Sequence, residues 1–261
     1  MRRYFRLWTR MAAMSVQMQL AYPVGSMGFL IGKFIRVGFF FAFIVAVFSH
    51  TESLGGFSLV EMALFFLTFN LVDMAAQIFF RGVYGARRTV AEGDFDFYLI
   101  QPCSPLFRMA LTTVDFLDVA TILPVLAMIG VVFAKLPGGI GAWNYFLYIL
   151  LTLNGVGIAF AIHVLVAAMA VRTQELENTI WIYRDITAMG KFPVDLYGET
   201  TRWVLTLVVP IGVMTTFPAK ALLGTLSPGW ATFSFMLCAA SLAGASWFWL
   251  DSVSRYTSSS S

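Results

Sequence analysis

The chain has 261 residues, of which 59% are hydrophobic and only 12% charged, with a mean hydropathy of +0.79. These values exclude a water-soluble globular protein and describe an all-α polytopic membrane protein. The net charge of +3 is divided among separate segments with no continuous basic patch, which argues against nucleic acid as a partner.

From residue 2 to about 22, Leu7, Met11, Met14 and Met18 fall on one helical face and Arg3, Arg6, Arg10 and Gln17 on another, ending at Pro23. That pattern predicts a helix lying in the membrane interface, arginines toward lipid phosphates and the apolar side in the acyl boundary. No apolar core followed by a small-residue cleavage site occurs near the start, so no cleaved signal peptide is expected.

Apolar runs at 29–48 and 59–80 approach the length needed to cross a bilayer, with Lys33 and Arg36 near the start of the first and the turn SHTESLGGFS between them. On the second, Asn70, Asp73 and Gln77 recur at helical spacing. This polar stripe fits a translocation path or interhelical hydrogen bonding equally well.

The most informative stretch is the polar segment Arg81 to Arg108, RGVYGARRTVAEGDFDFYLIQPCSPLFR. Gly93 permits a sharp turn, and Asp94 can cap a short helix in which Phe95, Tyr98 and Leu99 share a face before Pro102 ends it. Glu92, Asp94 and Asp96 give this knob an acidic rim. Beyond it, spans are predicted at 109–134 and 145–171, joined by a Pro137-Gly138-Gly139 turn. Asp115 and Asp118, one turn apart, are expected to form structural ion pairs with Arg108 or Arg81. His163, alone in the fourth span, reads as a packing residue, with a proton relay as the lesser alternative. Cys103 and Cys238 belong to different segments, and no disulfide is predicted; no Cys/His spacing suggests a metal.

After the fourth span, hydropathy favours 203–223 as the fifth, although Pro210 interrupts it, and 230–250 is the last. The alternative places the fifth span at 175–192 and folds 210–224 into a re-entrant hairpin, which would bury Arg184 and Asp185. With both termini cytoplasmic, all of the 17 Lys and Arg except Lys135 and Lys220 fall inside, a strong positive-inside bias. The predicted organisation is an interface helix, 1–28, and a six-span domain, 29–261, with the polar loop at 81–108.

Two stretches carry a family resemblance. EGDFDFYLIQPCSPLF resembles the loop between the second and third spans of type-2 ATP-binding-cassette (ABC) exporter permeases, and KFPVDLYGETTRWVLTLVVPIGVMTTFPAKALLG resembles the region around their fifth span. The resemblance implies a bacterial inner-membrane permease that pairs with a second permease chain, identical or sister, and with a separate ABC ATP-binding subunit. ATP and Mg would be bound by that subunit, because this chain has no phosphate-binding loop and no cofactor of its own. The coupling element would be Glu92, Gly93, Asp94, Phe95, Asp96, Tyr98, Leu99 and Pro102, with Phe95, Tyr98 and Leu99 filling a groove on the ATPase. The N-terminal helix, with Arg3, Arg6 and Arg10 on lipid, would flank the ATPase. Candidate path residues are Asn70, Asp73, Gln77, Asp115 and His163, and the cargo a small, drug-like or lipophilic molecule. A proton-coupled carrier using Asp73 or Asp115, and a non-transporting scaffold, are the other classes the sequence leaves open.

Overall fold

The structure, a computed structural model, describes residues 2–136, 139–173 and 179–257. The predicted turn residues Pro137 and Gly138, the stretch around Glu175 and the serines from 258 onward lie outside the described residues. The fold is all-α. Its one β-bridge among the described residues, Leu54 to Phe57, closes the turn between the first two spans, where Gly55 and Gly56 take φ values of 60° and 85°.

Helix α1 (Arg2–Ala21) leads through Tyr22 into α2 (Pro23–Phe48), so the first span begins six residues earlier than its hydropathy suggested. Pro23 suits the first helical position, where its missing N–H has no intrahelical partner to lose. A return at α3 (Leu59–Phe80) starts from a reciprocal cap. Ser58 Oγ accepts from Glu61 N, and Glu61 Oε2 accepts from Ser58 N at 2.7 Å. The chain then forms a 3-10 turn, Arg81–Gly85, followed by α4 (Ala86–Ala91), α5 (Asp94–Ile100) and α6 (Pro105–Leu111). Two long spans follow, α7 (Phe116–Lys135) and α8 (Ala142–Thr173).

We call the side bearing α4 to α6 the loop end and the opposite side the far end. Along most of their length α3 and α8 are buried, whereas α2 buries only Lys33 and Ile44. Helix α8 achieves its close packing with small residues, as membrane helices do. A Cβ on Gly155 would strike the Met214 carbonyl, and one on Gly157 would lie 2.9 Å from Cys238 Sγ.

The fifth passage differs from the favoured expectation. It is α9 (Thr179–Thr187), extended by a 3-10 turn, Ala188–Lys191. Its start packs at the loop end, where Trp181 meets Tyr84, and its continuation climbs the bundle until Phe192 meets Phe40 and Leu196 reaches Gly55 at the far end. The apolar run that hydropathy favoured is a hairpin. Its limbs are Glu199–Val208, beginning with α10 (Glu199–Trp203), and Gly212–Leu222, ending with α11 (Phe217–Leu222), and they are bent by 83°.

Both limbs end at the far end. Trp203 lies 6.2 Å from Trp230 at the start of the last helix, α12 (Pro228–Ser254), and Asn144 at the start of α8 donates to the Ala221 and Leu222 carbonyls. The hairpin therefore enters and leaves on one side. Arg202 goes with it to the far end, joining Lys135 and Lys220, and Lys191 leaves the loop end for the wall of the bundle beside Phe40, so both depart from the placement expected for them.

Helix α1 lies along α6 and the 112–116 turn. The Tyr4 hydroxyl accepts from Ser104 N at 3.1 Å, and Gln19 both donates to the Val114 carbonyl at 2.8 Å and accepts from Phe116 N at 3.0 Å. The predicted apolar face is divided: Leu7 and Met11 are half-buried against the protein, while Met14 and Met18 are exposed.

Gly155→Ala should lower the thermal stability of the detergent-solubilised chain by about 1–3 kcal/mol, because the added methyl meets backbone that cannot rotate away. Gly38→Ala, with nothing within 4 Å, is the neutral control. Equal melting of the two variants would contradict the packing of the hairpin on α8.

Candidate functional site

Between α2, α3 and the fifth passage lies a cavity of about 570 Å³. Along α2 it is lined by Phe29, Lys33, Arg36 and Phe40; along α3 by Phe66, Phe69, Asn70, Asp73 and Gln77; and along the fifth passage by Trp181, Arg184, Asp185 and Lys191. Antiparallel helices bring these residues into rows. Lys33, Arg36 and Phe40 ascend α2 as Gln77, Asp73 and Asn70 ascend α3 and Arg184 and Lys191 ascend the fifth passage.

The predicted polar stripe does line this space; two of its bonds stay within α3, and one, at Gln77, reaches another helix. Asn70 Nδ2 donates to the Phe66 carbonyl at 2.7 Å, and Gln77 Nε2 donates to Asp73 Oδ2 at 2.7 Å. Gln77 Oε1 and the Tyr84 hydroxyl accept from Arg184 Nη1 at 3.1 and 3.3 Å. Arg184 thus crosses the bundle with hydrogen-bonded partners and flanking rings, Tyr84 at 5.7 Å and Trp181 at 5.9 Å. The arrangement tolerates a guanidinium that a hydropathy scale counts only as a penalty.

Asp115 and Asp118 meet a different partner from the one expected. Lys33 Nζ is 2.6 Å from Asp118 Oδ1 and 3.5 Å from Asp115 Oδ2, with side chains 5% and 1% exposed for Lys33 and Asp118. Arg81 does approach Asp115, at 3.8 Å. Arg108 does not; its Nη1 sits 2.6 Å from Met11 Sδ and its guanidinium 5.2 Å from the Tyr98 ring. Asp115 also caps α7 by accepting from Leu117 N at 3.1 Å. His163 stands apart from the cavity. It is buried, with Nδ1 2.7 Å from the Ala159 carbonyl and the rings of Phe80 and Tyr183 at 5.5 and 5.4 Å.

At the loop end, α5 begins after Gly93, whose φ of 80° makes the turn. Asp94 is the first helical residue and makes no capping bond, contrary to the cap expected of it. Phe95 is also corrected: it is fully buried, with Tyr256 at 5.0 Å, Trp249 at 6.2 Å and Tyr98 at 6.3 Å. It cannot fill a groove on another protein in this arrangement. The exposed apolar residues of α5 are Phe97 (61%), Ile100 (80%) and Leu99 (39%), with Asp94 beside them. Phe97 and Ile100 are spaced i, i+3, the same signal that drew attention to Phe95 and Tyr98, and only packing decides which pair faces inward.

Glu92 pairs with Arg88 at 2.8 Å. Pro102 follows the extended Gln101 that ends α5, and Ser104 Oγ caps α6 by accepting from Phe107 N. Arg3, Arg6 and Arg10 are exposed on α1. The described residues contain no group of acids, His and Cys able to hold a metal ion.

Residues 34–260 match the model of a family described as ABC-2 family transporter protein. No curated protein and no solved structure matches the chain.

Lys33→Met should destabilise the chain by about 3–5 kcal/mol, because it strands buried carboxylates. Adding Asp118→Leu should recover much of that loss. Thermal unfolding in detergent measures both; a single variant as stable as the parent would refute the structural role of the pair.

Proposed function

This chain belongs to the ABC-2 family of transporter proteins, and from that premise we propose that it is the permease subunit of an ABC exporter driven by a separate ATP-binding chain. The observation that carries the reading is α5. Its outward face shows Phe97, Leu99, Ile100 and Asp94, while its inward face is bolted through Phe95 to α12 and the residues just beyond it. A helix with an apolar, acid-edged outer face and a rigid inner attachment is suited to take a load from a partner and pass it into the bundle.

In this reading the loop end is cytoplasmic, in keeping with its excess of Arg, and α1 lies on the inner leaflet with Arg3, Arg6 and Arg10 toward lipid phosphates. The partner docks on Phe97 and Ile100, with Asp94 and Asp96 facing its basic residues, and it binds ATP and Mg. Cargo passes through the cavity lined by Asn70, Asp73 and Gln77. A second permease chain, identical or sister, covers the exposed side of α2. The membrane is the bacterial inner membrane.

The test is a pull-down of the tagged chain from native membranes in mild detergent, assayed for a co-purifying subunit and vanadate-sensitive ATP hydrolysis. The parent chain is expected to bring down an ATPase. Phe97→Asp with Ile100→Asp should weaken that association by about thirtyfold, as loss of an interface anchor does, with the chain still folded in the membrane. Full recovery of ATPase by the double variant would remove α5 from the interface, and a chain that purifies with no ATPase at all would overturn the reading.

A further inference from the structure

The cavity between α2, α3 and the fifth passage holds more positive charge than its own carboxylates neutralise. Lys33 is clamped by Asp118 and Asp115, Arg81 approaches Asp115, and Arg184 is held by Gln77 and Tyr84. Arg36 and Lys191 differ, since neither forms an ion pair or a side-chain hydrogen bond among the described residues. They share one part of the cavity, for Phe40 lies one helical turn beyond Arg36 and Lys191 Nζ is 5.1 Å from its ring. The carboxylates nearby are too few to balance these cations. Asp115 and Asp118 sit with Lys33 toward the loop end, Asp185 is exposed at the rim, and Asp73, which accepts from Gln77, is a single carboxylate facing Arg184, Lys191 and Arg36 together.

Depth makes this unusual. Arg36 follows Pro23 by thirteen residues and precedes Phe48 by twelve, so at 1.5 Å per residue it lies about 20 Å from one end of α2 and about 18 Å from the other. Ionisable groups at mid-membrane are penalised by lipid and persist where they serve a site. The walls of the cavity are aromatic, Phe40, Phe66 and Phe69 toward the two cations and Phe29 and Trp181 toward the loop end. The volume falls within the range of small-molecule pockets.

Resting on the permease reading above, we infer that this cavity binds a single-chain amphiphile with an anionic headgroup. Arg36 and Lys191 hold the carboxylate, sulfate or phosphate by charge-assisted hydrogen bonds, and the phenylalanines take the apolar chain. A cationic lipophile is disfavoured by the same two charges. Neutralising them breaks no ion pair or side-chain hydrogen bond among the described residues, so the variants that test the site should leave the fold intact.

The experiment is a fluorescence titration of the purified chain, in neutral maltoside micelles without ATP, with dansyl-labelled undecanoic acid and, in parallel, dansyl-labelled undecylamine. The acid is expected to bind about tenfold or more tightly than the amine. Arg36→Gln with Lys191→Gln should weaken the acid by about tenfold or more and leave the amine unchanged or improved. Arg36→Lys with Lys191→Arg should retain acid binding, and Lys135→Gln, at the far end, should have no effect. Equal binding of acid and amine, or an undiminished acid affinity in the double Gln variant, overturns the inference. So does inorganic phosphate competing as well as undecanoic acid, since the headgroup alone would then suffice. The readout does not involve the ATPase. A partner that co-purifies while the acid fails to bind refutes only the ligand class, whereas absence of the partner refutes the permease reading whatever binds.

Discussion

The ammonium of Lys33, 2.6 Å from Asp118 and 3.5 Å from Asp115, is the contact on which the placement of α2 depends. Apart from Lys33, only Ile44 of that helix is buried, and its phenylalanines largely face outward. In lipid there is little hydrophobic gain from bringing an apolar helix against a bundle, so a directional polar contact carries weight that it would not have in water. Three helices converge on this ion cluster. Lys33 comes from α2, Asp118 and the capping Asp115 from α7, and Arg81 from the end of α3. Helix α2 is held at Lys33 toward the loop end and again at Phe40 and Ile44 toward the far end, and the cavity lies between these attachments, where Arg36 faces open space.

Mechanical continuity runs from the loop end to that cavity. Phe95 on α5 contacts Trp249 of α12 and Tyr256 just beyond it, and Arg172 of α8 is tied to Asp251 of α12 at 2.7 Å. A second connection passes through α6, because Gly82 lies so close to the Met109 carbonyl that a side chain there would collide with it. Displacement of α5 and α6 is therefore transmitted to the end of α3 by backbone against backbone, a contact with no soft side chain to absorb it. Helix α1, through Tyr4, Gln19 and its contact with Arg108, is joined to the same unit.

Much of this was legible in the sequence because membrane helices advertise themselves by length and apolarity, and the stripe of Asn70, Asp73 and Gln77 by spacing alone. What could not be read depended on partners distant in sequence. Arg184 and Asp185 made the fifth passage look unfit for a membrane, and only Gln77 and Tyr84, brought close by folding, make it tolerable. The hairpin misled in the opposite sense. Its residues are apolar enough to cross, but Pro210 supplies no N–H to continue a helix, and small residues admit it into the bundle, Gly155 against its backbone and Gly190 against the side chains of Ile211 and Thr215. On α5, the sequence offers two apolar faces of similar strength, and the choice of Phe95 as the inner one is made by Trp249 and Tyr256, about 150 residues away along the chain in a segment whose proximity no local rule foretells.

The far boundary of the cavity follows from the same corrected topology. Phe40 stacks on Phe66 at 4.6 Å and meets Phe192 at 5.3 Å, forming an aromatic layer from α2, α3 and the fifth passage. Beyond it lies a second, apolar space of about 250 Å³ lined by Phe43, Val47, Phe48, Leu54, Met62 and Phe192. The polar cavity and this smaller one are thus separated by side chains, not by backbone. Had 203–223 been the fifth span, Phe192 would have stood at the loop end and no such layer would close the cavity. With the fifth passage at 179–191, Phe192, which lines the smaller space and packs on Phe40, directly follows Lys191 of the polar cavity, so a movement of that segment along α2 changes the charge lining and the aromatic layer together.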